Sequence, residues 1–309
     1  MFNKLKRYAK DPYYALGNDM IKKCPHLMSD KFYLSVLWKM VMGYELDWNH
    51  PKTFNEKLQW LKLHDRNPLY TTLVDKYRVK QWVAERIGEQ YVIPTLAVYN
   101  SVDEINLNEL PDKFVLKCNH DSGSVVICKD KADFDLDAAK QKLGAALKKN
   151  FYWEAREWPY KNVKRCVFAE QYMADSFESE VLTDYKFFTF EGNPKVIQVD
   201  YDRFKWHKRN LYDTAWKYIE AGIQYPSDPD HVIDKPRALD EMLGLCQEIG
   251  KKFKQIRIDL YLVDNKVYFG ELTFFHGGGF EHFRPEEFGL QMGEYVQLSE
   301  NKRFKLGGG

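Results

Sequence analysis

The sequence lacks the short motifs that mark several common enzyme classes. It has no GxxxxGK[ST] phosphate loop, no GxSxG nucleophile elbow and no HxxxH-type metal pair in its 309 residues. Its cysteines are few and have no CxxC spacing, which argues against a zinc site and against a disulfide framework. A reduced cytoplasm is therefore the expected location. The five cysteines are Cys24, Cys118, Cys128, Cys166 and Cys246.

The sequence also lacks an excess of one charge and a long apolar run. Lys plus Arg (46) nearly cancel Asp plus Glu (45), so no overall field predicts nucleic acid or an anionic membrane as a partner. No stretch approaches the length of a membrane span, and the segment 32–42 would at most touch a membrane peripherally. We therefore expect a soluble protein with a large core.

The segment 255–279 carries the strongest pattern. It alternates apolar and polar residues, turns at Asp264 and Asn265, and alternates again, which predicts a β-hairpin. Asp259 and Glu271 lie on opposite arms, where a short turn can bring them close. Two facing carboxylates favour a cation between them, Mg²⁺ or Mn²⁺ for oxygen ligands. The alternative is that both acids are solvated on the outer face of the sheet.

The first part of the chain has a helical pattern. Residues 1–70 read as helices separated by prolines, and Thr53 with Glu56 fits the capping-box pattern before an apolar run. A further helix is predicted over residues 75–88. In the strand that follows, Pro94 indicates an edge position.

Two later segments combine strands with polar residues. Strands are predicted on both sides of the loop 119–123, whose small residues expose backbone N–H groups that can fold over phosphates. Lys117 precedes this loop and could supply a charge, although a surface lysine with an apolar stem is the commoner explanation of such a residue. Glu170 ends another strand as a possible acceptor for an amine, or as a solvated strand-end carboxylate.

The order of these parts resembles the ATP-grasp superfamily over roughly residues 70–298. The phrases LPDKFVLKCNH, DYKFFTFEG and YFGELTF are similar to the branch associated with teichuronopeptide and other bacterial surface-polysaccharide clusters. Members of that branch are often labelled glycosyltransferases. The resemblance rests on Lys76, VIPTLAVY, FVLK with HDSGS, AEQYM, DYK, RID and GELT in this order.

The resemblance implies an α+β fold in which two α+β subdomains grip a nucleotide. The helical N-terminal region would cover residues 1–70, and the first subdomain, with the phosphate flap, residues 71–165. The second subdomain, with the metal site, would cover residues 166–300. Residues 301–309 would be a tail, which we expect to be an artificial addition because its glycines have no side chains to pack.

The resemblance also assigns ATP and Mg²⁺ or Mn²⁺ to particular residues. Those implied to contact ATP are Lys76 and Lys117 at the phosphates, Ser122, Gly123 and Ser124 in the flap, Glu170 at the adenine amine, Tyr172 at the hinge and Glu178 at the ribose.

Metal binding and catalysis are implied for residues later in the chain. Asp259 and Glu271 match the metal ligands, with Thr273 where the family usually has asparagine. Threonine is a weaker ligand. Lys186 and Arg203 match residues that face the γ-phosphate and the substrate carboxylate. Arg257 matches the arginine that neutralises the intermediate, with backbone donors from residues 277–279.

Three functions follow as hypotheses. The first is an ATP-dependent ligase that joins an amine to a sugar carboxylate, and the second is an ATP-grasp kinase that phosphorylates a glycan. The third is a metal-dependent glycosyltransferase, for which Asp228 and Asp230 form a DxD sequence in a proline-containing loop. For His207, His231, His276 and His282 a structural or surface role is expected. The sequence makes no prediction of oligomeric state.

Overall fold

The computed structural model describes residue 21 and residues 24–174, 183–201 and 207–298. Its α-helices are α1 Asp30–Met42, α2 Phe54–His64, α3 Leu69–Leu73, α4 Val79–Ile87, α5 Leu136–Leu147, α6 Tyr152–Ala155, α7 Leu239–Gly250 and α8 Glu286–Glu294. Its strands are β1 Thr95–Tyr99, β2 Phe114–Cys118, β3 Val125–Cys128, β4 Val167–Gln171, β5 Asp184–Phe190, β6 Asn193–Tyr201, β7 Lys208–Tyr212, β8 Gly222–Ile223, β9 Ile256–Val263, β10 Lys266–Thr273 and β11 Phe283–Arg284. These helices and antiparallel sheets confirm the predicted α+β class. Among the described residues, no helix combines the length and the apolar character that crossing a bilayer requires.

The N-terminal helices share a core with the rest of the chain. The Thr53 hydroxyl accepts from the Glu56 N–H, and the Glu56 carboxylate accepts from the Thr53 N–H, which confirms the predicted capping box. Helix α2 then buries Phe54, Leu58 and Leu61 in the apolar core beneath the larger sheet. This part of the helical region is therefore built into the body of the protein.

The smaller sheet has four antiparallel strands in the order β1-β4-β2-β3. Strand β1 lies at its edge, as Pro94 predicted. Helix α5 covers one face, where Leu143 packs with Phe114 and Leu116. The predicted boundary after residue 165 assigned β4 to the second subdomain, but the main-chain hydrogen bonds of β4 go to β1 and β2. By sheet pairing, the division lies after β4.

The larger sheet is antiparallel in the order β10-β9-β5-β6-β7. Side chains alternate between its two faces. Phe187, Ile197 and Ile258 pack in the apolar core with α7. The intervening residues form the opposite side, which we call the polar face. Its members are Asp184, Lys186, Gln198, Asp200, Arg209, Arg257, Asp259, Tyr261, Glu271 and Thr273.

The β9–β10 hairpin confirms the predicted hairpin and turn. Asp264 and Asn265 have φ of +50° and +60°, the backbone that a tight two-residue hairpin turn requires. Glu271 lies opposite Asp259, and a β-bulge interrupts the register between Phe269 and Glu271. Without the bulge, the register set by the turn would place Gly270 opposite Asp259. The extra residue therefore brings Glu271 onto the polar face.

Two helical glycines give a matched test of how closely α8 approaches α2. A Cβ at Gly293 would lie 2.2 Å from the Lys52 carbonyl oxygen, whereas a Cβ at Gly244 would meet nothing within 4 Å. We expect Gly293→Ala to destabilise the protein by about 1–3 kcal/mol through overpacking. Gly244→Ala should stabilise it by about 0.5–1 kcal/mol, because alanine loses less backbone entropy in a helix. Urea unfolding of both variants measures the two signs, and equal effects would contradict the packing described here.

Candidate active site

Three neighbouring strands bring Lys186, Asp259 and Glu271 into one line across the polar face. Lys186 lies opposite Asp259, and Asp259 lies opposite Glu271. The Lys186 Nζ is 3.2 Å from the Asp259 Oδ2 and also contacts the Asp184 carboxylate. Asp259 is only 2% exposed, so it is not an acid solvated on an outer face. The alternative left open for this residue by the hairpin pattern is therefore excluded.

Arg257 holds the two hairpin carboxylates together. Its Nε and Nη2 donate to the two oxygens of Asp259 at 2.7 Å each. Nη2 also donates to the Glu271 Oε1 at 2.9 Å. The guanidinium thus offsets the repulsion that two facing carboxylates would otherwise have.

Lys76 reaches the same carboxylates from a distant part of the chain. Its Nζ lies 3.1 Å from the Glu271 Oε2, and its backbone N–H donates to the Asn119 carbonyl at 2.9 Å. Burial raises the pKa of Glu271, but Lys76, Arg257 and Lys186 outweigh burial and hold that pKa well below its usual range. Glu271 is therefore ionised at neutral pH. The hairpin cluster, as we call it, consists of Lys76, Asp184, Lys186, Arg257, Asp259 and Glu271.

A second group of charges, the Glu170 cluster, lies on the smaller sheet and α4. The Glu170 carboxylate accepts from Lys80 on one oxygen and from Lys117 on the other, each at 2.5 Å. Burial raises the pKa of Glu170, and the two lysines outweigh burial, so its pKa is lowered. Sequence reasoning missed Lys80. The signal was its spacing of four from Lys76 within the helix predicted over residues 75–88. In the structure Lys80 lies in the first turn of α4, and Lys76 lies in the turn just before it.

Tyr261, opposite Asp184 in the sheet register, lies within electrostatic range of both clusters. Burial raises its pKa strongly, and carboxylates from both clusters raise it further: Asp184, Glu271 and Asp259 from one side and Glu170 from the other. Val92, just before β1, also pairs with Phe269 in β10. The predicted lysines Lys76 and Lys117 and the predicted acids therefore lie around one common region.

The predicted flap lies between β2 and β3. Ser122 and Gly123 are exposed, and Gly123 has φ of +98°, a conformation that glycine adopts readily. Ser124 is buried and its hydroxyl donates to Asp121. Tyr172 follows β4 directly. Glu178 and Arg203 lie outside the described residues.

The predicted metal ligands offer hard oxygen donors. In the described ranges, no group of three or more His, Cys, Asp or Glu side chains is arranged to hold a metal ion. Asp259 and Glu271 supply two carboxylates, and the Thr273 hydroxyl lies 3.3 Å from the Glu271 Oε1. Their chemistry fits Mg²⁺ or Mn²⁺. Glu271, with its side chain 31% exposed, is the accessible ligand, whereas both Asp259 oxygens already accept from Arg257.

The turn His276–Gly279 closes the site beyond β10. The carbonyls of Gly278 and Gly279 accept from Gln59, and Gly278 also accepts from the buried Lys62. Helix α2 thus fixes the turn whose backbone N–H groups were predicted as donors, by hydrogen bonds to the carbonyls of that turn. His276, for which a structural or surface role was expected, is buried and contacts Arg257.

The DxD sequence lies away from these clusters. The Asp228 carboxylate pairs with Lys208 and accepts from the Asp230 N–H at 3.1 Å. This is the arrangement of a turn-forming aspartate, which is the simpler of its two explanations.

Comparison with protein families assigns the chain and its fold to the ATP-grasp class. The family described as TupA-like ATPgrasp matches residues 56–297, which include both sheets and both charged clusters. The chain belongs to the TupA-like ATP-grasp family. This confirms the predicted ATP-grasp fold and the resemblance to its surface-polysaccharide branch.

Solved structures with a related fold are distant. D-alanine–D-alanine ligase from Bacillus anthracis is 18% identical over 69% of this chain and 62% of its own, with a TM-score of 0.39. The ATP-grasp ligase PsnB, complexed with a phosphomimetic variant of its minimal precursor, Mg and ADP, is 10% identical over 71% of this chain and 57% of its own, with a TM-score of 0.39. A RimK domain ATP-grasp protein from Sphaerobacter thermophilus is 12% identical over 74% and 69%, with a TM-score of 0.38. The chain thus spans less than two thirds of the length of the first two. No curated protein matches the sequence.

Glu281 gives a pH test of the charges that support this site. Burial raises its pKa, but contacts with His276 and with Arg209, at 2.8 Å each, outweigh burial and lower the pKa from 4.5 to about 2. Such a carboxylate stabilises the fold above its unfolded pKa and loses that contribution as pH falls through its folded pKa. At about 1.4 kcal/mol per pKa unit, the contribution is up to about 3 kcal/mol.

We therefore expect Glu281→Gln to be less stable than the wild type at pH 7, with a difference that shrinks between pH 5 and pH 3. Urea unfolding at several pH values measures the difference. Glu287→Gln, at an exposed position nearby, is the control and should follow the wild type. A difference for Glu281→Gln that is constant over this pH range would contradict the expectation.

Proposed function

We propose that this protein is an ATP-dependent ligase that joins a carboxylate to an amine. In the finer form of the proposal, the carboxylate belongs to a sugar or glycan of a bacterial surface polysaccharide and the amine to an amino acid or related compound. ATP is the co-substrate and Mg²⁺ or Mn²⁺ the metal, and the reaction would take place in the cytoplasm. No nucleic-acid partner is proposed.

The contact between Lys76 and Glu271 carries the proposal. It joins a lysine from the turn just before α4 to a carboxylate on the hairpin, at 3.1 Å, so that cations and acids from distant segments surround one region. ATP-grasp membership supports the use of ATP in that region. Phosphoryl transfer depends mainly on positioning and on charge neutralisation, which such a site can supply.

The same ion pairs provide a mechanism for loading the site. Lys76 now neutralises Glu271, and Lys117 neutralises Glu170. When a triphosphate binds, each lysine can exchange its carboxylate for phosphate oxygens. The Glu271 Oε2 would then be free, and Glu271 and Asp259 would hold the divalent cation, whose contribution would be to neutralise charge on the transferring phosphoryl group. The Glu170 Oε2 would then be free to accept from the adenine amine, while Lys80 keeps the other oxygen.

The chemical steps then use the fixed cations of the polar face. A substrate carboxylate oxygen attacks the γ-phosphorus, and the bond from that phosphorus to the bridging oxygen breaks. The products of this step are ADP and an acylphosphate. The amine nitrogen attacks the acyl carbon, phosphate leaves, and loss of the amine proton gives the amide. Lys186 and Arg257 would stabilise the oxygen atoms on which negative charge develops.

Product analysis tests the proposed reaction. Incubation with ATP, Mg²⁺, a uronic acid and mixed amino acids should yield ADP, phosphate and an amide detected by mass spectrometry. ADP with a phosphorylated sugar would make the protein a kinase. AMP with pyrophosphate, or no nucleotide turnover, would contradict the ligase. ATP should also raise the melting temperature, and stabilisation by UDP-sugars alone would indicate a glycosyltransferase.

Removal of the accessible acid tests the site itself. Glu271→Gln should lower turnover by about 10²–10³-fold, because weaker binding of the cation removes a group that would stabilise transition-state charge. Activity should also require more Mg²⁺. Glu191→Gln, at an exposed turn between β5 and β6, is the matched control and should retain full activity. Full activity in Glu271→Gln, measured by ADP release, would exclude the assigned site.

A further inference from the structure

His276 lies where the hairpin meets the glycine turn, and nothing in the proposed reaction uses it. The residue is 3% exposed, and its ring packs edge-on against Phe188 at 4.9 Å between centroids. The Arg257 Nη1 approaches its Nδ1 to 2.7 Å. On the other side, its Nε2 lies 2.8 Å from the Glu281 Oε2.

The contact with Arg257 determines which ring nitrogen carries the proton. A guanidinium only donates hydrogen bonds, so Nδ1 must be the unprotonated acceptor. The proton of the neutral ring is therefore on Nε2, which lies 2.8 Å from the Glu281 Oε2. Burial lowers the pKa of His276, which agrees with a neutral ring at pH 7.

This acceptor completes the constraint on Arg257. Of the five N–H groups of a guanidinium, two donate to Asp259, one to Glu271 and one to His276. The second hydrogen on Nη1 has no partner within the described part of the chain. Because His276 holds the other Nη1 hydrogen, it fixes the direction in which this remaining donor points.

We infer that His276 is a positioning residue that orients the Arg257 guanidinium towards a bound anion in the active site. The inference rests on the proposed function, since it assigns Arg257 the task of stabilising oxygen charge in that reaction. His276 itself is buried, and its effect is exerted through the hydrogen bond to Nη1.

The ring is supported from two independent directions. Glu281 is held by the Arg209 Nη1 at 2.8 Å, and the Arg209 Nε donates to Asp200 at 2.7 Å. On the main chain, Lys62 donates to the Gly278 carbonyl at 2.6 Å. A residue needed only to fill space beside Phe188 would not require support of this kind.

Three variants separate the acceptor from the rest of the ring. His276→Asn keeps an oxygen near the Nδ1 position, His276→Gln keeps an amide near Nε2, and His276→Leu keeps neither. We expect His276→Leu and His276→Gln to lower kcat by about 10–100-fold, the usual effect of removing a group that orients an active-site residue. His276→Asn should retain most of the wild-type activity, and KM for ATP should change little in all three variants. Each variant is compared with the wild type by thermal unfolding.

Equal activity in His276→Leu and the wild type would overturn the inference. An equal loss of kcat in His276→Asn and His276→Leu, when both variants are folded, would also overturn it. ¹⁵N NMR of labelled histidine gives a readout that needs no turnover. The His276 signal, identified by its loss in His276→Asn, should show the Nε2–H tautomer, and a protonated Nδ1 would also overturn the inference. If the wild type shows the tautomer but forms no amide, the proposed ligase function fails, and the positioning role for that reaction fails with it.

Discussion

The structure around the polar face depends on the neutralisation of carboxylates that are buried or partly buried. Asp184, Asp259 and Glu271 approach one another across three strands, an arrangement that would be costly if their charges stood alone. Three cations balance them, and they come from β5, β9 and the turn before α4. Removal of one member would leave an uncompensated buried charge, which is much more costly than loss of an exposed ion pair.

This balance also links stability to function. A site that binds a triphosphate and a divalent cation must contain lysines for the first and acids for the second. Before either ligand arrives, these groups neutralise each other, as Lys76 and Glu271 do. In the proposed reaction, binding would exchange these partners for ligand atoms, so the same side chains would serve the folded protein and the chemistry.

Local patterns accounted for much of the fold. The capping box at Thr53, the edge strand after Pro94 and the hairpin turn at Asp264 all depend on residues within a few positions of one another, and the structure confirms them. The bulge at Gly270 was not predicted, although the alternation of apolar residues changes there. Val267 and Phe269 are buried two positions apart before the bulge, and the next buried residue, Leu272, follows three positions later. A register counted from the turn alone places the wrong residue opposite Asp259.

The sequence by itself determined the order of the elements, the two acids on one hairpin and the family resemblance, because spacing and residue type along the chain carry that information. Only the tertiary structure decided that β4 joins the smaller sheet, that Lys80 shares Glu170 with Lys117, and that His276 accepts from Arg257. These contacts join segments far apart in the chain or depend on side-chain direction. Each is selected by charge compensation and packing in the folded core, which no local pattern records.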